Sequence, residues 1–389
     1  MNDLPRALLA HLFARQEEMT ALLRDLVCLE SPSHDPAAQE PVFARLAAEL
    51  EASGMRTRRL PGKVYGGQLW AVRRQRRRGT PRPIPAQLLI GHCDTVWPVG
   101  TLAAMPAEVR DGSLFGPGVY DMKAGLVQGI FALRALHDLG LAPAVEPAFF
   151  INSDEEVGSL ESLPRIERLA RRMRRVFVLE PSLGPAGDLK TRRKGSLRFT
   201  LRIFGRAAHS GLDPEKGASA IRELARVIDR LYALEDPERG VTVNVGVIAG
   251  GLRANVVAPE ARADLDIRVL AADDAARLER EILALNGAAP DTPGTRIEIE
   301  GGIDRPPLES TPGNRALFAA ARLRAEELGI ALGEATAGGA SDGSLTSRFT
   351  PTLDGLGAVG DGAHAAGEHV VLDKLPERAA LLASLLLEP

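Results

Sequence analysis

Cysteine, aromatic residues and long apolar runs are all scarce in this chain, and each scarcity excludes something. Of 389 residues only Cys28 and Cys93 are cysteines, which rules out a disulfide framework and suits a reducing compartment. Aromatic residues make up 4% of the chain, too few for the stacking platforms that single-stranded nucleic acid needs. The formal net charge is −3, so no polyanion partner is implied and no nucleic-acid partner is expected. Two basic runs stand out, Arg73 to Arg78 and Arg171 to Arg175. The first reads as a solvated hairpin or loop, and the second as the end of a helix, where cations complement the dipole. No apolar run approaches the length of a membrane span. The N-terminal stretch carries Asp3, Arg6, Arg15, Glu17 and Glu18 without a continuous apolar segment. No secretory signal is therefore expected, and the expected location is cytoplasmic.

What the chain does have is apolar content, 45% of it, enough for sizeable cores in two or three domains. An amphipathic helix is expected over residues 5–30 and a second from Pro36 to Ser53, stopped by Gly54. Strands follow at Arg56–Leu60, Gln68–Arg73 and 87–92. Met122 to Leu139 has Leu126, Ile130, Leu133 and Leu136 at helical spacing, and short apolar strands recur at 147–152 and 175–179. This order of strands and helices predicts an α/β domain with a mostly parallel sheet sandwiched by helices. After Pro181 the pattern changes. Leu197, Phe199, Leu201 and Ile203 alternate with polar residues, a helix spans Ala218 to Leu234, and strands follow at Val241–Ile248 and Ala263–Val269. A helix from Asp274 to Leu285 and a strand at Arg296–Glu300 complete a β-α-β-β-α-β order, the split ferredoxin-like pattern. The expected boundaries are 1–192 and 304–389 for a divided larger domain and 193–303 for the insertion, one face of whose sheet is left for pairing with a second copy.

Three of the apolar strands end on histidine or acid, at the edge where open α/β sheets bind ligands. The strand at 87–92 closes on His92, and Asp94 follows two residues on, on the same face if the chain stays extended. That spacing suits a metal ligand and the carboxylate that fixes its tautomer. Cys93, between them, faces the other way and reads as core. Gly116-Pro117-Gly118 forces a turn ending at Asp121, ahead of a helix. The strand at 147–152 runs into Asp154-Glu155-Glu156, and the strand at 175–179 into Glu180. His92 alone is as well read as a packed core histidine; three such strand ends together are not a chance pattern.

The ordered motifs GHCDT, GPGVYDMKAG, NSDEEVGS, LEPS and GDGAH resemble those of the di-zinc peptidase family that holds glutamate carboxypeptidase, aminoacylases and succinyl-diaminopimelate desuccinylase. The likeness runs from about residue 26 to the C-terminus. It implies that His92 and Glu180 bind one zinc and Glu156 and His364 the other, with Asp121 bridging. It also implies that Asp94 orients His92 and that Glu155 is the general base. Nitrogen and oxygen ligands of this kind suit catalytic zinc, with cobalt or manganese as other candidates, and Glu155 and Glu156 point different ways if the segment is extended. His369 competes with His364, but the glycine-rich approach matches His364. The resemblance further makes the insertion a lid through which chains dimerise. Its His209 would stabilise the oxyanion, in its own or the partner's site. Asn255, Arg268 and Arg305 match positions that hold the substrate carboxylate, with Lys190 and Gly339 as further substrate contacts; surface ion pairs are the competing reading for both arginines.

The implied reaction is amide hydrolysis releasing a C-terminal amino acid, glutamate being the expected one, from an N-acyl or short peptide substrate. An aminoacylase or dipeptidase with a less acidic preference is the alternative within the family, and a non-catalytic zinc-binding relative the alternative outside catalysis. Three departures from the glutamate enzyme's pattern bear on substrate. Tyr120 stands where a small residue is common, Arg192 and Arg193 replace serine and leucine, and Ala340 interrupts the glycine-rich turn.

Overall fold

The computed structural model describes residues 4–73 and 87–389; Arg74 to Arg78 of the first basic run lie outside the described residues. The chain divides into two compact units. One comprises Met1–Thr191, Ser310–Ala337 and Ser341–Pro389, and the other Arg192–Glu309 with Gly338–Ala340. Among the described residues no helix is long and apolar enough to cross a membrane.

The larger unit is built on a six-stranded sheet ordered Met55–Leu60, Gln68–Arg73, Pro147–Asn152, Gln87–His92, Arg175–Val178, Thr352–Leu353. The last four strands run parallel, and the first two add an antiparallel edge. Every residue of Gln87–His92 and Pro147–Asn152 is buried, as parallel strands covered on both faces must be. His92 and Asn152 stand opposite each other, so the segments that follow them leave the sheet side by side, held by Cys93 N–H donating to the Asn152 carbonyl at 2.9 Å. Cys93 itself is buried.

Helix Pro36–Ala52 starts where the sequence directs it. Asp35 caps it by accepting the Ala38 N–H at 3.0 Å, with proline in the first turn. The single helix expected over 5–30 is two, Leu4–Phe13 and Gln16–Cys28. Arg15 leaves helical geometry at the break, its guanidinium reaching the His11 carbonyl at 3.3 Å and Asp138 at 3.3 Å. Helix Ala124–Asp138 begins two residues later than expected and buries almost its whole circumference, not a single leucine stripe. The second basic run begins at a helix end as expected, Arg171 being the C-cap of Leu163–Ala170, but its last residue does not belong to that end. Arg175 opens a strand instead and is buried, donating to the Gln87 side chain and the Glu388 carbonyl. A small sheet of Glu108–Arg110, Ser113–Phe115, His369–Val371 and Gly360–Asp361 had no legible signal, its strands being two or three residues long.

The inserted unit is an antiparallel sheet ordered Thr242–Gly250, Glu260–Val269, Gly195–Phe204, Arg296–Arg305, with helices Ala220–Tyr232 and Ala272–Leu283. This realises the β-α-β-β-α-β pattern. Leu197, Phe199, Leu201 and Ile203 form one buried cluster with Leu224, Val227, Leu231, Leu278 and Ile282 of the two helices. The last strand runs on to Arg305, past its expected end at Glu300.

Candidate metal centre

Five ligand-type side chains converge beyond the parallel strand ends. His92, Asp121 and Glu180 form one group and Asp121, Glu156 and His364 another, the ligand atoms within each lying within 4.8 Å of one another. Asp121 belongs to both. Its Oδ1 lies 3.3 Å from His92 Nε2 and its Oδ2 3.6 Å from His364 Nε2. Glu180 Oε1 is 3.5 Å from His92 Nε2, and Glu156 Oε2 is 3.1 Å from His364 Nε2.

His92 Nε2 and Asp121 Oδ1 are buried and, despite their proximity, make no aligned hydrogen bond. Two orphaned polar atoms aimed at one point, within a nitrogen-and-oxygen donor set, fit a divalent cation. His92 is prepared for that task from behind: its Nδ1 lies 3.0 Å from the Asp94 carbonyl, which leaves Nε2 as the free lone pair. Burial pulls the His92 pKa down, but the carboxylates of Asp121, Asp94 and Glu180 gathered around the ring outweigh it and hold the imidazole well above its ordinary range.

The Asp94 carboxylate does more than face the imidazole, from which it stands 3.4 Å. Its oxygens accept the Ser33 hydroxyl at 2.7 Å, the Glu155 N–H at 3.3 Å and the Glu156 N–H at 3.2 Å. Burial opposes its charge, yet these donors and His92 hold its pKa below the usual carboxylate value. Accepting two consecutive amides bends the segment after Asn152. Residues 155–158 are therefore a turn, with Gly158 N–H donating to the Glu155 carbonyl at 2.9 Å, not the extended piece expected from sequence. Below it, Asp154 accepts Glu161 N–H, Ser162 N–H and the Ser162 hydroxyl, and Asp342 accepts the Asn152 amide at 2.8 Å.

Asp121 sits on a tight turn. Gly118, at φ 69°, opens it, and a Cβ there would stand 2.3 Å from the Thr95 side chain, so only glycine fits. The Asp121–Met122 peptide is cis. Glu368, absent from the sequence-derived site, accepts N–H groups of this turn at Gly118, Tyr120 and Asp121. Its only sequence signal was an acid four residues after His364. Lys123 is fully buried and donates to the Leu29 carbonyl at 2.8 Å; burial lowers its pKa to about 8.

Of the two competing histidines, His364 joins the ligand group, on a backbone at φ 60°. His369 bonds the Gly367 carbonyl and stacks on Phe115 at 4.9 Å. The hydrogen bond to Glu156 lifts His364 to about 9, and burial lifts Glu156 to about 7. Lys190 is buried with its Nζ 4.0 Å from Glu180 Oε2.

The residues expected to bind substrate in the inserted unit fall into two places. Ser210 N–H donates to the Asn255 carbonyl at 3.1 Å and His209 bridges Val256, so His209 and Asn255 are neighbours. His209 is exposed, its Nδ1 accepting the N–H of Gly211 and Leu212. Arg268 and Arg305 flank Ser196 on either side in the ladder, in one row of one face. Arg268 already forks onto Asp266 at 2.6 and 2.9 Å, and Arg193 donates to the Gly339 carbonyl at 3.2 Å. Strand Gly195–Phe204 lies between the two places, and pairing continues past Phe204, so they are roughly 25 Å or more apart. One inserted unit does not bring Asn255 to Arg268 and Arg305.

A mostly parallel α/β sheet carrying two carboxylate–histidine groups at its ligand edge defines a metal-dependent hydrolase. Comparison with known proteins agrees. Residues 88–388 match the model of Peptidase family M20/M25/M40, and the chain belongs to that family, whose members are metal-dependent peptidases and amidohydrolases. It is 27% identical over 380 residues to carboxypeptidase G2 of a Pseudomonas species (strain RS-16), covering 96% of this chain and 89% of the relative. It is 30% identical over 378 residues to succinyl-diaminopimelate desuccinylase of Stenotrophomonas maltophilia (strain K279a), covering 92% and 96%. Among solved structures, Bacillus cereus aminopeptidase PepT shares the fold with a TM-score of 0.78 at 21% identity, over 95% of this chain and 98% of that one. A dinuclear metal binding peptidase of Bacillus subtilis does so with a TM-score of 0.72 at 15% identity, over 96% and 98%.

Proposed function

We propose that this protein is a di-zinc carboxypeptidase-type amidohydrolase that releases a C-terminal amino acid, with glutamate the expected one, from N-acyl or short peptidyl substrates. The observation that carries this reading is the sharing of Asp121 between two ligand groups, its two oxygens facing two different histidines. Zinc ions held by His92, Asp121 and Glu180 and by Asp121, Glu156 and His364 would acidify water and polarise the scissile carbonyl. Asp94 fixes the His92 tautomer and the turn that carries Glu155. Glu155 takes the proton of the attacking water and returns it to the leaving amine. His209 stabilises the oxyanion, and Arg305, Lys190, Asn255 and the Gly339 turn hold the substrate.

The name of one relative, a carboxypeptidase, supports the C-terminal preference. A second reading, an aminoacylase or dipeptidase of less acidic preference, is favoured by Arg268, whose fork is closed on Asp266 rather than open to a substrate carboxylate. Metal content measured beside hydrolysis of N-acyl-glutamate, N-acyl-alanine and N-acyl-leucine, before and after chelation, separates the two. Two zincs per chain with chelator-sensitive release of glutamate supports the first; equal rates on all three removes the glutamate preference.

The chain acts as a dimer through the inserted unit in this reading. Strand Thr242–Gly250 is a sheet edge carrying exposed Val247 and Ile248, with exposed Leu252 and Ile221 beside it. Such an edge invites pairing. The separation of His209 and Asn255 from Arg268 and Arg305 supports a role for His209 in a second copy's site. Mixing inactive His209→Ala and Glu155→Gln chains tests this, since mixed dimers regain activity only when His209 serves the partner.

A further inference from the structure

The geometry points to Glu368 as the positioning residue that holds Asp121 and His364 in register for the second metal. This rests on Asp121, Glu156 and His364 being metal ligands. The Glu368 carboxylate is 1% exposed, and four donors converge on it. Oε2 accepts the Gly118 N–H at 2.8 Å and the Trp97 indole N–H at 2.9 Å. Oε1 accepts the Tyr120 N–H at 2.9 Å and the Asp121 N–H at 3.1 Å. An ionised carboxylate offers about four acceptor sites, and here all are taken by neutral donors, three of them from the turn that aims Asp121.

The backbone of the same residue governs the other ligand. Glu368 N–H donates to the Ala365 carbonyl at 3.0 Å, and Ala365 N–H to the Gly362 carbonyl at 2.9 Å. These bonds close the turn on which His364 sits at φ 60°, a conformation that a non-glycine residue keeps only when its surroundings impose it. The Glu368 carbonyl accepts the Gly116 N–H at 3.2 Å. One residue thus ties the Asp121 turn to the His364 turn, through side chain and main chain together. The His92–Asp121–Glu180 group shares only Asp121 with this clamp, and His92 has its own anchor in Asp94. Loss of the clamp should therefore fall more heavily on the Asp121–Glu156–His364 position.

Zinc titration of metal-free protein against a competing chromogenic chelator reads both sites without any substrate. Wild-type protein is expected to take up two equivalents. In Glu368→Gln the amide turns a donor toward backbone N–H groups, and one of the two zinc affinities should fall about 10–100-fold, as outer hydrogen-bond partners of metal ligands typically cost, with the other changed less. A merely structural Glu368 would lower the melting temperature of the metal-free protein and leave the ratio of the two affinities unchanged. That result overturns the proposal. Trp97→Phe removes one donor and leaves the turn intact. It should shift the ratio in the same direction by a smaller factor, and an unchanged ratio there also counts against the clamp. Wild-type protein that binds no zinc would instead overturn the metal centre itself, and the proposal with it.

Discussion

The Tyr120 hydroxyl donates to the Ser182 carbonyl at 2.6 Å, with both residues buried. The bond ties the turn that carries Asp121 to the segment that follows Glu180, so two pieces of chain that carry candidate ligands are joined by one phenol. Tyr120 belongs to the main buried cluster, and burial pushes its pKa upward, keeping the hydroxyl a donor. Tyr120→Phe should leave that carbonyl without its donor and cost about 1–3 kcal/mol. Urea unfolding of the metal-free protein measures this, and an unchanged midpoint would mean the tie is dispensable.

Glu155→Gln keeps the backbone N–H that Asp94 accepts and removes the base. Turnover is expected to fall by about 10²–10⁴-fold with zinc content unchanged. Retained turnover in a folded, fully loaded variant would exclude Glu155 as the proton carrier.

The metal-free centre should hold its protons at neutral pH. The Glu156 hydrogen bond lifts His364 from 6.5 to about 9, a folded value above the unfolded one. The charged His364 is lost as pH rises through about 9, and because Glu156 is itself lifted to about 7, the charged pair stands only between about pH 7 and 9. Zinc requires neutral imidazole and ionised carboxylate, so uptake at pH 7.5 should release protons, and apparent affinity should climb with pH up to about 9. Calorimetric titration in two buffers of different ionisation enthalpy reads the release directly; none at pH 7.5 would contradict the expectation.

Arg378 is a buried guanidinium whose partners are main-chain carbonyls: Gly357 at 3.1 Å, Gly187 at 2.8 Å and Gly355 at 2.6 Å. Gly357 in turn donates to the Glu180 carbonyl at 2.9 Å, and a Cβ on Gly357 would stand 2.3 Å from the Leu179 carbonyl. Arg378→Met strands three carbonyls and should cost at least about 3 kcal/mol. Arg378→Lys should recover only part of that, because one ammonium cannot reproduce the planar fork. Thermal unfolding of the three proteins should rank them in that order.

Much of this was legible because local patterns carried it. Alternation in 197–203 marked a half-buried strand, Gly54 marked the end of the helix that starts at Pro36, and apolar strands ending on His92, Glu155-Glu156 and Glu180 marked the ligand edge of a parallel sheet. The failures share a cause. The break at Arg15, the interior role of Arg175, the turn at 155–158 and the two- and three-residue strands all depend on partners far away in sequence. Asp138, the C-terminal carbonyls and Asp94 supply those partners, and no local window contains them.

The sequence by itself determined the family, the order of the longer elements and which residue types could hold metal, since these rest on periodicity, turn chemistry and ordered motifs. The tertiary structure added the geometry: Asp121 faces the two histidines with its two different oxygens, and His364 rather than His369 stands in the candidate ligand group, as the resemblance implied. It alone revealed that Glu368 braces both turns, and that Arg268 closes on Asp266 while His209 and Asn255 lie at the far end of their unit. Those outcomes turn on directed hydrogen bonds of about 3 Å between segments up to 250 residues apart, a geometry that only the packed chain establishes.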